Sequence, residues 1–241
     1  MNSRKSSAFS LVELLIVITI IGIISSFAVP AVRGMLKGSA LNSGANILFD
    51  EVNLARQHAL TKSRIVELRI YRFADPEVPG ETLATPSTGN FRAFQFFEVA
   101  DNGAVLPAGK FKRLPDSIVM NSGMGSFNSY TTSTLSSLLG ESVKFNIGVV
   151  LSAALKEPDP ELPRGVKKNY DYVFFRFLPD GKTSLSPTGT TGRASEGGKW
   201  FITIHNIADT KTNGVTAPPN FITWMIDPVG GTSKLLRPGL K

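Results

Sequence analysis

The chain has 241 residues, no cysteine and a formal net charge of +7 at pH 7, with a pI near 9.7. The lack of cysteine excludes thiol chemistry, cysteine-ligated zinc and disulfide-stapled folding, so a folded domain has to rely on its hydrophobic core. The positive charge is compatible with anionic partners such as nucleic acid or lipid headgroups. Most of that charge is nevertheless expected on a solvated surface.

The first predicted element is an apolar helix over 9–29, which follows a basic octet. At a rise of about 1.5 Å per residue it spans roughly 32 Å, close to the ~30 Å hydrocarbon core of a bilayer. Its one charged residue is Glu13. An ionised acid at a helix centre costs ~2.5–3.5 kcal/mol on insertion scales, so Glu13 needs an interfacial position, a proton or a paired cation. Cleavage after Ala8 would create an α-amino group on Phe9, about one helical turn from Glu13.

The segment from Lys5 to Leu15, KSSAFSLVELL, resembles the processing site of type IV pilins and type II secretion pseudopilins. It has the basic leader, the small residue, the phenylalanine and the glutamate four places on. The resemblance implies that a prepilin peptidase cuts between Ala8 and Phe9 and methylates the Phe9 amine. It also implies that Glu13 pairs with the N-terminus of a neighbouring subunit during filament assembly. The family usually has glycine before the cut, where this chain has Ala8.

Two other interpretations of the N-terminal segment remain open. One is an ordinary secretory signal, with Arg4 and Lys5 as its basic region, 14–24 as its apolar region and 26–28 as its cleavage site. This interpretation leaves Glu13 unexplained. The other is an uncleaved anchor, for which the flanking charges do not fix the orientation because both flanks are basic. The short leader favours a cytoplasmic N-terminus, so we expect a single pass through the inner membrane with the C-terminal domain outside the cytoplasm.

A second helical pattern follows the proline at position 30. Apolar residues recur three or four places apart, which predicts an amphipathic helix that buries one face: Leu41, Ala45, Leu48, Val52, Ala55 and Ala59. Pro30 is expected to kink the helix. Each glycine inside a helix costs about 1 kcal/mol relative to alanine, so the stretch after Pro30 is expected to be weak because of Gly34, Gly38 and Gly44.

The end of this helix strengthens the resemblance. The segment from Ala45 to Leu68 is similar to the helix-to-first-strand segment of H-type minor pseudopilins and related minor pilins. It is also similar to a pilin-like family found in multi-gene cassettes of Verrucomicrobia. The resemblance covers about the first 75 residues.

Farther along the chain the pattern takes a two-residue period, which is typical of strands. Over 64–73, Val66, Leu68 and Ile70 alternate with more polar residues, and this predicts a half-buried strand. Five more strands are predicted over 91–100, 143–151, 170–178, 199–206 and 221–227. Loops rich in Gly, Pro, Ser and Thr separate them at 74–90, 121–141, 153–169 and 183–198.

These patterns predict an α+β fold in which a long N-terminal helix packs on an antiparallel sheet, as in pilins. Four parts are expected along the chain: a leader over 1–8, a transmembrane or filament-core helix over 9–29, an amphipathic half of the helix over 30–63, and a β-rich extracytoplasmic domain over 64–241.

The chain carries no pattern that predicts catalysis. His58 and His205 lack the spacing of a metal site. The 181–183 segment, Gly-Lys-Thr, lacks the first glycine of a phosphate-binding loop and is interpreted as a turn. An acidic cluster in a proline-rich loop gives no defined site: Glu157, Asp159 and Glu161. Neither enzymatic activity nor a metal or cofactor is expected.

The tail over 230–241 is basic and is predicted to be mobile. Its candidate phosphate contacts are Lys234, Arg237 and Lys241. Some related minor pilins bind DNA during uptake through such a region, and contacts of this kind would give weak, salt-sensitive binding. The tail lacks the aromatic residues that stack on bases.

The sequence therefore predicts a non-enzymatic filament subunit, a minor pseudopilin or pilin of a type II secretion or type IV pilus-like system. Its expected partners are prepilin peptidase, other pilin or pseudopilin subunits, an inner-membrane assembly platform and membrane lipid. The alternatives are a DNA-binding minor pilin and a secreted or membrane-tethered binding protein with an ordinary signal sequence.

Overall fold

The computed structural model describes residues 10–78, 81, 89–120, 170–184, 200–209, 220–227 and 230–237. The chain divides into two compact units, with the boundary between Ser39 and Ala40. One helix, α1, runs over Leu11–Lys62 and contributes residues to both units. It continues across Pro30 and the glycines after it, so the stretch that we expected to be weak is helical. The kink at Pro30 stays a prediction.

The second unit contains one antiparallel sheet. Its strands are β1 (Ile65–Phe73), β2 (Asn90–Val99), β3 (Val105–Pro107), β4 (Lys112–Arg113), β5 (Ile118–Met120), β6 (Asp171–Phe177), β7 (Thr183–Ser184), β8 (Trp200–Asn206), β9 (Phe221–Ile226) and β10 (Ser233–Leu236). They are ordered β10-β9-β8-β5-β2-β1-β6-β7, and β3 and β4 both pair with β2. A short 3-10 turn, Ile207–Asp209, follows β8.

Five of the six predicted strands are confirmed as β1, β2, β6, β8 and β9. The strand predicted over 143–151 lies outside the described residues, as do the predicted loops over 121–141 and 153–169. The short strands β3, β4, β5 and β7 were not predicted, because two or three residues are too few to show an alternating pattern. The α+β fold class, a long helix packed on an antiparallel sheet, is confirmed.

The main core lies between α1 and one face of the sheet. All six residues of the predicted apolar stripe are at most 1% exposed, and they pack against apolar side chains of β1, β2, β5, β6, β8 and β9. Gly44 belongs to this contact. A Cβ atom there would lie 3.3 Å from the Ile118 side chain and 3.4 Å from that of Pro115. Gly44 therefore lets the helix approach the segment before β5 closely.

The prediction of a half-buried β1 is wrong. Glu67, Arg69 and Tyr71, which alternate with the core residues, are also buried, at 2%, 4% and 0% exposure. Tyr71 belongs to a second apolar cluster with Phe73, Ala93, Phe97, Tyr170 and Tyr172. Both faces of β1 are thus covered, and the charges of Glu67 and Arg69 are compensated by pairing with each other, at 2.7 Å, rather than by water.

Candidate functional site

The start of α1 is organised by Ser10. Its hydroxyl accepts a hydrogen bond from the N–H of Val12 at 3.2 Å, and its carbonyl accepts one from the N–H of Leu14 at 3.1 Å. Ser10 is therefore the N-cap of the helix. Glu13 follows in the first turn, where the helix dipole favours a negative charge, and it is exposed. Within the part of the chain that the structure describes, Glu13 makes no ion pair.

The helix continues from Glu13 as an exposed apolar surface, which we call the apolar helix surface. Its large side chains are between 43% and 80% exposed: Leu11, Val12, Leu14, Leu15, Ile16, Val17, Ile18, Ile20, Ile21, Ile23, Ile24, Phe27, Val29, Val32, Met35 and Leu36. At ~1.5 kcal/mol for each side chain removed from water, burying this surface would stabilise the chain by on the order of 20 kcal/mol. A surface of this size requires lipid or protein around it.

Two hydroxyl groups within the apolar helix surface are satisfied by the helix itself. The Thr19 hydroxyl donates to the Leu15 carbonyl at 2.8 Å, and the Ser26 hydroxyl donates to the Ile23 carbonyl at 2.7 Å. Neither hydroxyl needs a water partner, which allows this part of the helix to enter hydrocarbon without an unpaired donor. By length and composition, α1 is suited to cross a membrane.

The predicted processing residues lie outside the described residues. They are Arg4 and Lys5 of the leader, together with Ala8 and Phe9 at the cleavage site. Their roles stay predictions. Of the predicted assembly pair, only Glu13 lies among the described residues, four positions after Phe9 in the sequence.

The two histidines occupy different surroundings. The ring of His58 lies 3.1 Å from a Glu98 carboxylate oxygen, and that carboxylate also pairs with Arg64 at 3.1 Å. His205 is 2% exposed, and its Nδ1 donates to the Asn206 carbonyl at 2.9 Å. Burial lowers the pKa of His205 below its usual value. No group of three potential metal ligands occurs among the residues that the structure describes, and the loop with Glu157, Asp159 and Glu161 lies outside them.

The prediction of a mobile C-terminal tail is wrong for the residues that form β10. These residues pair with β9, and the Ser233 hydroxyl lies 3.1 Å from the Asn53 side-chain oxygen on α1. Lys234 is exposed on this strand, and Arg237 donates to the side chain of Asn42 on α1. Lys241 lies outside the described residues. Contact of these residues with phosphates stays a prediction.

Sequence reasoning missed the structural roles of two polar residues of α1, Arg56 and Glu51. Arg56 donates to the carbonyls of Gly181 and Gly230, in the turns before β7 and β10. Glu51 is 4% exposed although it lies one position off the apolar stripe. Neither feature follows from a local sequence pattern, because each depends on how distant parts of the chain pack on α1.

The first comparison with known proteins concerns the N-terminal segment. Residues 3–29 match the prokaryotic N-terminal methylation motif. The expected prepilin-type motif, and with it the resemblance to type IV pilins at the N-terminus, is thereby confirmed. No curated protein matches the chain. Among solved structures, the chain is similar to the minor pseudopilin EpsH from the type 2 secretion system of Vibrio cholerae, at 12% identity and a TM-score of 0.40, over 84% of this chain and 99% of that one.

Proposed function

We propose that this protein is a non-enzymatic subunit of a type II secretion or type IV pilus-like filament, held in the inner membrane by α1 until it is assembled. The proposal rests on one observation. The N-terminal methylation motif over 3–29 lies on the helix that exposes the apolar helix surface, with Glu13 in its first turn. In this proposal the domain after the helix lies outside the cytoplasm.

Processing is the first step of the proposed mechanism. Prepilin peptidase cuts between Ala8 and Phe9 and methylates the new amine, which stays positively charged. The mature chain then begins one residue before Ser10, the N-cap of α1. The amine and the Glu13 carboxylate thus become opposite charges at the same end of an apolar helix.

Assembly is the second step. An inner-membrane platform moves subunits from lipid into a bundle in which their apolar helix surfaces pack on one another. The transfer exchanges lipid contact for helix contact, so its net driving force is far smaller than the full burial energy of the surface. The Phe9 amine of one subunit pairs with Glu13 of a neighbour. An ion pair at 4 Å is worth about 1 kcal/mol in water and about 4 kcal/mol at an effective dielectric of 20, so pairing favours the assembled state where water is excluded.

The test combines the mature N-terminus with a substitution at Glu13. Mass spectrometry of the membrane-held protein should find a chain that begins at N-methylated Phe9. Glu13→Ala should be processed normally but should no longer co-purify with sheared filaments. Asp50→Ala is the matched control, because Asp50 is also an exposed acid on α1, and it should assemble normally. A mature N-terminus at residue 29, or normal incorporation of Glu13→Ala, would contradict the proposal.

A further inference from the structure

Glu51 is a buried carboxylate that the proposed function does not use. It lies on the half of α1 that packs on the sheet and is 4% exposed. Its Oε1 atom is buried without a hydrogen-bond partner. An oxygen of an ionised carboxylate that is buried without a donor is costly, because it has lost water and gained no hydrogen bond in return.

The charged groups around Glu51 do not replace the lost water. Lys112 on β4 is the cation that lowers the energy of the ionised carboxylate, but it is exposed and forms no ion pair with Glu51 among the residues that the structure describes. His58 lies two turns along α1 and is engaged with Glu98 of β2. Asp50 precedes Glu51 and faces solvent. Among the residues that the structure describes, Lys112 therefore offsets the burial of Glu51 only in part, and no other charge offsets it.

We propose that Glu51 is a proton-uptake site that holds α1 on the sheet more firmly as the pH falls. When the carboxylate takes up a proton, the buried charge disappears and the protonated oxygen needs far less solvation. The packing of α1 on the sheet is then no longer weakened by a buried anion. This device belongs to the second unit and does not depend on the filament function.

The direction of the pH effect follows from the linkage between proton binding and folding. Burial raises the pKa of Glu51 above its usual value, and Lys112 opposes the rise only in part. The folded chain therefore takes up this proton at a higher pH than the unfolded chain, whose glutamates titrate near ~4.3. Between the two pKa values the folded state binds more protons, so its stability rises as the pH falls. Most paired carboxylates act in the opposite direction.

The experiment compares urea unfolding of the full chain in non-ionic detergent between pH 8 and pH 4.5. Tryptophan fluorescence reports on the core, since Trp224 is 1% exposed there. Glu51→Gln should raise the urea midpoint at pH 8, and its advantage over the wild type should vanish towards pH 4.5. The ratio of the two unfolding constants should change about tenfold for each unit by which burial raises the pKa. The comparison is made at each pH, so all other titrating groups cancel.

Three further variants keep the result interpretable. Asp50→Asn removes the same charge from the exposed neighbouring position and should show no such trend. Glu51→Met tests the site without a new buried amide and should behave as Glu51→Gln does. Lys112→Gln should enlarge the pH dependence of the wild type but not that of Glu51→Gln. The proposal is overturned if both Glu51 variants are less stable than the wild type at pH 8, or if their advantage is independent of pH.

Discussion

The guanidinium of Arg56 donates a 2.9 Å hydrogen bond from Nη2 to the Gly230 carbonyl, in the turn between β9 and β10. Its Nε donates to the Gly181 carbonyl at 3.3 Å, in the turn between β6 and β7. One side chain of α1 thus holds two turns from opposite ends of the sheet. The turns meet closely beneath it, because a Cβ atom at Gly231 would overlap the Gly181 oxygen.

Arg56→Met should therefore destabilise the domain although it keeps the apolar stem of the side chain. The substitution removes both donors and leaves two carbonyls unpaired. A hydrogen bond from a charged group contributes about 1.5–3 kcal/mol to stability. Urea unfolding should show the loss as a lower midpoint. Gln57→Met, at the exposed next position, is the control and should be nearly neutral. Equal effects of the two variants would mean that the Arg56 contacts do not hold the turns.

The C-terminus of α1 allows a stabilising substitution. Ser63 has a φ of 51°, in the left-handed region, and the N–H of Arg64 donates to the Ala59 carbonyl at 3.3 Å. This is the cap at which glycine is preferred, because a Cβ atom is strained there. Ser63→Gly should stabilise the domain by about 0.5–1 kcal/mol, the relief of strain exceeding the entropy of the unfolded glycine. Thermal unfolding measures the gain, and Ser63→Val should move the midpoint down instead.

The sequence predicts those parts of the molecule that depend on local pattern. The apolar run with Glu13 is continuous and the stripe from Leu41 to Ala59 is periodic over several turns, and both were correctly predicted to be helical. The burial of Glu51 and the hydrogen bonds of Arg56 to the Gly181 and Gly230 carbonyls depend on parts of the chain that are distant in sequence, so no local pattern predicts them. The strand β10 could have been found, since the Gly230-Gly231 pair marks a turn before Ser233–Leu236.

His205 should make the domain less stable as the pH falls below about 6.5. Burial is the main cause that lowers its pKa, and the Asn206 carbonyl and Asp209 oppose the shift. The unfolded chain therefore takes up a proton near ~6.5 while the folded chain resists it, so stability is lost below that pH and levels off below the folded pKa.

Urea midpoints between pH 8 and pH 5 measure this loss. His205→Gln keeps a donor for the Asn206 carbonyl and should flatten the fall. The chain has only two histidines, so His58→Gln is the natural control and should leave the fall in place. A fall that persists unchanged in His205→Gln would assign it to carboxylates.

The carboxylate of Glu67 should contribute more to the stability of the sheet than most other side chains do. It accepts from Arg69 Nε at 2.7 Å and from Arg176 at 2.8 Å and 3.0 Å. The Arg69 guanidinium also lies 4.3 Å from the ring centroid of Phe97, so the group is enclosed by apolar surface. Glu67→Gln removes the anion that both guanidinium groups share. Breaking a buried ion pair by removing one partner costs about 3–5 kcal/mol, and we expect a loss of that size.

Two comparisons test whether burial is the cause of the large loss of stability expected for Glu67→Gln. Arg176→Met removes one cation but leaves the Glu67–Arg69 pair, so its cost should be smaller than that of Glu67→Gln. Asp180→Asn breaks an ion pair with Lys182 whose side chains are 51% and 43% exposed, and it should change the urea midpoint little, because water solvates both partners. High salt should weaken the exposed pair but leave the effect of Glu67→Gln intact. Similar costs for Asp180→Asn and Glu67→Gln would show that burial does not strengthen the pairing at Glu67.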